Sequence, residues 1–268
     1  MSAPRIGSMA GQITLLSKRE IDKMRVAGSL AAQLLKHLES FVKVGVSTQS
    51  LNDEAERWTQ SKGARSAPLG YGGEGDRPAF PRSICTSVNE VVCHGIPSPK
   101  QILKNGDILN IDVTLIVDGY HGDTSRMYLL GEASPVAKRL VEVTEKCRFL
   151  GMEQVKPGNR LGDIGAAIQE YAESQGFSVV RDFVGHGISN IFHTEPQVSH
   201  YGKWGEGTKL RPGMVFTIEP MINEGRHDVK LLKDKWTAIT KDKKLSAQYE
   251  HTIAVTQDGY EILTPYPY

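Results

Sequence analysis

The sequence predicts an α+β fold in which a helix–helix–strands unit is repeated about a pseudo-twofold, giving a central antiparallel sheet covered by helices. Two helix pairs occur at matched spacing, one in each half of the chain. Each pair is followed by an apolar strand that places a carboxylate at the same step, Asp112 in the first half and Glu219 in the second. Asp118-Gly119 joins two strand-like runs, a strong signal for an antiparallel hairpin. The 268 residues, 39% apolar and 24% charged, have an ordinary globular composition and can bury a sizeable core without staples.

Residues 1–16 carry Pro, Gly and Ser without periodicity and read as a short, partly flexible extension. Residues 17–268 are expected to form a single domain, with halves of about 17–130 and 131–268. Ser17-Lys18-Arg19-Glu20 fits a capping box, and Ile21, Met24, Leu34, Leu35 and Leu38 follow near helical spacing. A second helix is predicted over about residues 50–61, with Leu51, Ala55 and Trp58 on one face and Gly63 as its stop.

The plan then returns. Residues 134–154 read as a helix, with Val136, Leu140, Val143, Cys147 and Leu150 apolar, and residues 163–174 as another, ended by Gly176. Val155-Lys156-Pro157-Gly158 echoes Val42-Lys43-Val44-Gly45, and at the same offset Trp58 lies over Tyr171, Ser61 over Ser174 and Gly63 over Gly176. Residues 105–112 run parallel to residues 212–219, with Gly106 matching Gly213, Ile111 matching Ile218 and Asp112 matching Glu219. The identities are few, and a chance likeness of two helix–strand units is the alternative to a duplication.

With Asp118 and Gly119 at the turn centre, Asp112 lies across from Ser125, and Asp123 is its diagonal neighbour on the same face. Asp118 itself reads as an ordinary turn residue. Asp112 interrupts an apolar strand, where a carboxylate is costly to bury unless it is paired or bound to a metal. Glu219, in Phe216-Thr217-Ile218-Glu219-Pro220-Met221, and Glu250, in Tyr249-Glu250-His251-Thr252-Ile253, recur in similar settings without a Lys or Arg neighbour on their strands. Four such acids need a shared cation.

Two divalent ions satisfy this best, because bridging carboxylates hold such ions about 3.5–4 Å apart. Among eight histidines, His186 stands out between two glycines in Gly185-His186-Gly187-Ile188. His193, in Phe192-His193-Thr194-Glu195-Pro196, and His94, in Cys93-His94-Gly95-Ile96-Pro97, also sit beside Gly or Pro punctuation. His37, His121, His200, His227 and His251 have no comparable context and read as structural or solvated. Four carboxylates and one imidazole form an oxygen-rich set that suits Mn²⁺, Fe²⁺, Co²⁺ or Zn²⁺.

The net charge of +1, from 32 basic and 31 acidic residues, gives no reason to expect nucleic acid or an anionic membrane as a partner. Three cysteines without a pairing pattern argue against a disulfide framework. The N-terminus lacks the pattern of a secretory signal, and no run approaches the roughly 20 apolar residues of a membrane span. A soluble, cytoplasmic monomer is the expectation.

At these residues the sequence resembles the methionine aminopeptidases, within the wider pita-bread metallopeptidase family that also holds aminopeptidase P, prolidase and creatinase. The matching segments are residues 85–97, the strand through Asp112 with Gly119-Tyr120-His121-Gly122-Asp123, residues 185–188, residues 192–198, residues 216–221 and residues 246–252. Only 33 residues separate His186 from Glu219, too few for the helical insertion of type II enzymes, so the chain resembles type I. No Cys-rich zinc region of the longer eukaryotic type I forms is present at the N-terminus.

The resemblance implies a pita-bread fold and removal of N-terminal methionine from peptides and nascent proteins, by a metal-activated hydroxide attacking the first peptide bond. It implies metal binding by Asp112, Asp123, His186, Glu219 and Glu250, with Asp123 chelating one ion, Glu250 bridging, and His186 and Glu219 completing the shell of the other. His94 would contact the scissile nitrogen, His193 the scissile carbonyl oxygen, and Glu219 would take and pass on the water proton. The methionine pocket would be lined by Tyr71, Phe80, Cys85, Phe192, Met221 and Trp236. A monovalent cation near Asn89, Val91 and Ser246 and a transient ribosome association are further implications. Two features depart from the bacterial pattern: the loop over residues 72–81 is longer, and Pro68 stands where a pocket cysteine is often found. An Xaa-Pro peptidase of the same fold is the rival enzyme, although those relatives usually carry a separate N-terminal domain. A non-catalytic binding module is the rival from another class, although such proteins typically lose metal ligands.

Overall fold

The capping box at Ser17 forms as predicted, with the Glu20 N–H donating to the Ser17 hydroxyl at 3.4 Å and the Glu20 carboxylate accepting the Ser17 N–H at 2.7 Å. It opens the first helix, α1 (Lys18–Glu39), in the computed structural model, which describes residues 12–266. The second helix, α2 (Thr48–Ser61), starts at Thr48 rather than Ser50, because Ser47 caps it by accepting the Ser50 N–H at 3.1 Å. The strands β1 (Arg65–Ser66), β2 (Cys85–Val88), β3 (Val91–Cys93), β4 (Ile108–Val117) and β5 (Tyr120–Leu129) follow.

The second helix pair comprises α3 (Pro135–Glu153), capped by Ser134, and α4 (Leu161–Ser174). The latter starts at Leu161 because Asp163 lies in its first turn, where its carboxylate accepts the Arg160 N–H at 2.7 Å. Next come β6 (Ser178–Val179), β7 (Gly185–Gly187), β8 (Thr194–Val198), β9 (Val215–Ile218) and β10 (Met221–Asn223). The chain ends with β11 (Val229–Leu231), β12 (Ala238–Thr240), β13 (Ser246–Gln248), β14 (Glu250–Val255) and β15 (Tyr260–Ile262).

The main sheet runs β1-β4-β5-β14-β9-β7-β8, with β2 also on β4 and β15 also on β14. The pair β4-β5 comes from one half of the chain and β14-β9 from the other, and they meet at the β5–β14 seam. The order is that of a twofold between β5 and β14, which exchanges β4 with β9. The Asp118-Gly119 turn has positive φ at both residues, 47° and 79°, as a two-residue hairpin turn of this type requires. It sets the register in which Asp112 pairs with Ser125 and Thr114 with Asp123, the register read from the sequence.

Alternation along β4 divides the layers. Leu109, Ile111, Val113 and Leu115 pack in one cluster with Leu34, Leu35 and Leu38 of α1 and Leu51 of α2. Asn110, Asp112 and Thr114 therefore point to the opposite face. On the other half, Leu140 and Cys147 of α3 and Ile164 and Ile168 of α4 pack with Phe216, Ile218 and Ile253. The first helix lies directly on β5 backbone. A Cβ on Gly122 would come within 2.3 Å of the Gly28 nitrogen, so glycine is needed for that approach.

Of the residues expected to form an N-terminal extension, 1–11 lie outside the described residues. Leu16 is not loose: it is buried with Met24 and Ile188, and its N–H donates to the Gly213 carbonyl at 2.8 Å. No helix among the described residues is long and apolar enough to cross a membrane.

Candidate metal centre

The four acids singled out in the sequence arrive as two pairs, one from each half. Asp112 on β4 and Asp123 on β5 come from the first half; Glu219, one residue past β9, and Glu250, opening β14, come from the second. Glu250 sits opposite Ser125, which itself faces Asp112 across the hairpin. The sheet seam thus brings the pairs to one cleft. Asp123, Glu219 and Glu250 are buried, while Asp112 and His186 keep part of their surface open.

Hydrogen bonds aim these groups. The Thr114 hydroxyl donates to Asp123 Oδ1 at 2.6 Å. The Thr217 hydroxyl donates to Glu219 Oε1 at 2.8 Å and accepts the His186 N–H at 3.0 Å, so one side chain fixes two candidate ligands. Gln248 Nε2 donates to Glu219 Oε2 at 3.2 Å, and the Glu219 N–H donates to His200 Nε2 at 3.0 Å. His186 Nδ1 lies 3.1 Å from the Gly187 carbonyl, which fixes the proton there and leaves Nε2 free for a ligand. That Nε2 stands 3.6 Å from Asp123 Oδ2 and 3.7 Å from Glu219 Oε1.

Electrostatics tests whether a cation fits. Among the described residues, no Lys or Arg pairs with any of the four acids; His186 is their only basic contact. Burial, with the charges of Asp123 and Glu219 added, holds Asp112 well above the usual carboxylate range. Burial and its three acidic neighbours do the same to Glu250. Glu219 is pushed up to about 7 by burial, against the pull of His186. For His186 burial works against the charged ring, but Asp123 and Glu219 outweigh it and its pKa rises. Such a cluster must take up protons or bind cations. One donor atom each from Asp123, His186 and Glu250 lies within 4.8 Å of the others, and the set is oxygen-rich with one imidazole, so the residues fit divalent metal.

Beside the cluster, His193 is held between His186, at 4.1 Å between ring centroids, and Tyr71, at 4.9 Å. Its Nδ1 is buried without a hydrogen-bond partner, and burial pulls its pKa well below the usual histidine value. His94 adopts a left-handed backbone conformation, φ 55°, rare for a residue with a side chain. Its ring meets Phe183 edge-on at 5.5 Å and Trp236 at 6.2 Å, and burial lowers its pKa to about 4.

Phe80, Cys85 and Trp236 pack together with Tyr71 and Ile96 at their margin. Phe192 reaches this group through an edge contact with Tyr71 at 4.9 Å and stacks on His121 at 5.4 Å. Met221 packs instead with Val92, Cys93, Val180 and Ala238, because β10 and β3 lie outside the main sheet. The sequence-based pocket therefore divides, with Tyr71, Phe80, Cys85 and Trp236 together and Met221 in the adjoining cluster. At the third expected position, the Ser246 N–H donates to the Asn89 carbonyl at 2.9 Å, while Val91 pairs with Ile239.

Residues 22–257 match the model of metallopeptidase family M24. The chain belongs to that family. It is 68% identical to methionine aminopeptidase A of Synechocystis, over 96% of this chain and 99% of that protein. The crystal structure of the methionine aminopeptidase of Rickettsia prowazekii superposes with a TM-score of 0.91 at 53% identity, covering 95% of this chain and all of that one. The prolidase of Pyrococcus horikoshii shares the fold, with a TM-score of 0.73 at 21% identity over 64% of its own length.

Within this M24 chain several groups that pack on or beside the site were not singled out from the sequence. His200 read as structural or solvated, yet it is buried against the Glu219 backbone, and burial lowers its pKa to about 3. His121, placed in the same class, is buried, with Nδ1 3.0 Å from the Ser189 carbonyl and its ring under Phe192. Thr114 and Thr217 were findable, since each lies two residues from an acid along its own strand, on the same face. Gln248, His200 and Phe183 carry no local signal.

Proposed function

We propose that this M24 metallopeptidase is a dinuclear aminopeptidase that removes the N-terminal methionine of peptides and nascent proteins. The observation that carries the reading is the pair of acid pairs, without a Lys or Arg partner among the described residues, set beside a buried aromatic and cysteine cluster. High identity to methionine aminopeptidases over nearly the whole chain supports it.

Asp112, Asp123, His186, Glu219 and Glu250 would hold the ions. Asp123, His186 and Glu250 each bring a donor atom within 4.8 Å of the others, and in this reading Asp123 would chelate one ion while Glu250 would be shared. When bound, two divalent ions lower the pKa of a shared water and hold the charge that builds on a carbonyl oxygen. Glu219, anchored by Thr217, Gln248 and His200, is placed to hold a water proton at a carboxylate oxygen and pass it to the departing amine. His193, whose ring lies 4.1 Å from that of His186, would face the scissile carbonyl, and its neutral ring can donate a hydrogen bond without carrying charge. His94 contacts the scissile nitrogen. Tyr71, Phe80, Cys85 and Trp236, with Phe192 and Met221 at the margins, form a soft apolar pocket in which a thioether can meet aromatic edges.

The same reading includes Mn²⁺, Fe²⁺, Co²⁺ or Zn²⁺ as the ions and a monovalent cation near Asn89, Val91 and Ser246. It also includes a cytoplasmic monomer that meets nascent chains transiently at the ribosome. Methionine release from Met-Ala-Ser, compared with cleavage of an Xaa-Pro peptide, tests it. The metal-loaded chain should cleave the first and spare the second, and Glu219→Gln should lose about 10²–10⁴-fold in kcat. An inert metal-loaded chain, or an undiminished Glu219→Gln variant, would overturn the reading.

A further inference from the structure

Tyr71 and Phe80, two pocket residues, are also the base of a small hairpin. The Phe80 N–H donates to the Tyr71 carbonyl at 2.8 Å, and Gly72 bridges Ala79 above them. The residues in between are those that lengthen the loop relative to the bacterial pattern. They are fastened to the segment after β11. Lys235 donates to the Asp76 carbonyl at 2.7 Å and ion-pairs with its carboxylate, and Trp236 Nε1 donates to the Pro78 carbonyl at 2.8 Å. Gly72 is packed so closely on the Trp236 ring that a Cβ there would stand 3.0 Å from it.

The fastening sets Arg77 flat on Trp236, with the guanidinium carbon 3.4 Å from the ring centroid. Among the described residues no carboxylate is in ion-pair range of Arg77, although Glu74 lies three positions away. Its Nε is buried without a hydrogen-bond partner. Burial lowers its pKa, and the groups that feel its charge are Tyr71, Cys93, His94 and His193. An ornamental surface arginine would face water or pair with an acid. This one presents a partly desolvated, unpaired guanidinium toward the residues that line the cleft.

We propose that Arg77 is a specificity-determining residue that selects peptides carrying a carboxylate side chain in the residues just after the first peptide bond. The inference rests on the aminopeptidase reading, in which His94 marks the scissile nitrogen and Trp236 the methionine pocket. The guanidinium stacks on that Trp, whose ring lies 6.2 Å from the His94 ring, so it stands beside both the methionine pocket and the scissile nitrogen. Arginine's unused donors can take a carboxylate in two-point fashion, and a lysine side chain there would be repelled.

The test compares Met-Ala-Ser, Met-Ala-Asp-Ser and Met-Ala-Lys-Ser on the Mn²⁺-loaded wild type, Arg77→Gln and Arg77→Lys. The wild type should favour the Asp peptide over the Lys peptide by about fivefold in kcat/KM, carried by KM. Arg77→Gln should bring that ratio near one while Met-Ala-Ser is cleaved about as before, and Arg77→Lys should retain part of the preference. The preference should shrink in high salt, where an exposed rim charge is screened. Equal turnover of the Asp and Lys peptides by the wild type, or an unchanged ratio in Arg77→Gln, overturns the proposal for Arg77 alone. Failure of the wild type on all three peptides overturns it together with the reading it rests on.

Discussion

The backbone N–H of Glu219 donates to Nε2 of His200 at 3.0 Å, and this bond joins a loop histidine to an acid of the metal cluster. His200 is 1% exposed, and burial lowers its pKa to about 3, so the ring is neutral and accepts. Replacing it with Ala leaves the Glu219 N–H without a partner and opens a cavity. His200→Ala should cost about 2–4 kcal/mol in urea unfolding and weaken Mn²⁺ binding about tenfold. Unchanged Mn²⁺ affinity would show that the bond serves stability alone.

Thr114 and Thr217 hold Asp123 and Glu219 by hydroxyl hydrogen bonds of 2.6 and 2.8 Å. Valine has nearly the same shape without the donor. Thr114→Val and Thr217→Val should each weaken metal affinity by about 10–100-fold, with Thr217→Val the more severe because Thr217 also accepts the His186 N–H. Calorimetric Mn²⁺ titration reads the difference.

The metal-free cluster should make stability fall with rising pH. Asp112, Glu219 and Glu250 all have pKa values raised above their unfolded values near 4, Glu219 to about 7. Above about 4 the folded chain holds more protons than the unfolded one, so these groups favour folding at low pH; Glu219 loses that contribution as pH climbs through 7, and Asp112 and Glu250 lose theirs as pH rises through their own raised values. His186, also raised, acts in the same direction. Buried His94 and His200 act in the opposite direction, since their pKa values are lowered. For both the leading cause is burial. The increment in Tm on adding Mn²⁺ should therefore be larger at pH 8 than at pH 5. Equal increments would contradict the cluster's electrostatics.

Gly122 gives α1 its seat on β5. A Cβ there would stand 2.3 Å from the Gly28 nitrogen and 2.4 Å from the Ala27 carbonyl carbon, both backbone atoms that cannot step aside. Gly122→Ala should destabilise the chain by about 3 kcal/mol, roughly 10 °C in Tm, although Gly122 touches no substrate.

Features governed by local chemistry were legible in the sequence. Ser17 and Glu20 form the capping box, and Asp118-Gly119 sets the hairpin register that brings Asp112 and Asp123 to one face. The match of Asp112 with Glu219 was legible because both follow a shared Gly-x-x-x-x-Ile pattern. The correspondence of β5 with β14, the strands that carry Asp123 and Glu250, was not, since it exists only in the order of strands across the seam. The same holds for His200, 19 residues from Glu219, and Gln248, 29 residues from it: their hydrogen bonds follow from tertiary packing, which no short pattern encodes. That Met221 packs beside the Phe80, Cys85 and Trp236 cluster rather than in it was not legible, because β10 belongs to a separate small sheet.

The central claim is that acids from the two halves hold metal jointly. Calorimetric titration of the EDTA-stripped chain with Mn²⁺, beside Asp123→Asn and Asp112→Asn, tests it most directly. The account predicts two ions per wild-type chain, and fewer ions or markedly weaker binding in both Asp123→Asn and Asp112→Asn. Binding of no Mn²⁺ by the wild type, or unchanged stoichiometry and affinity in Asp123→Asn, would contradict it.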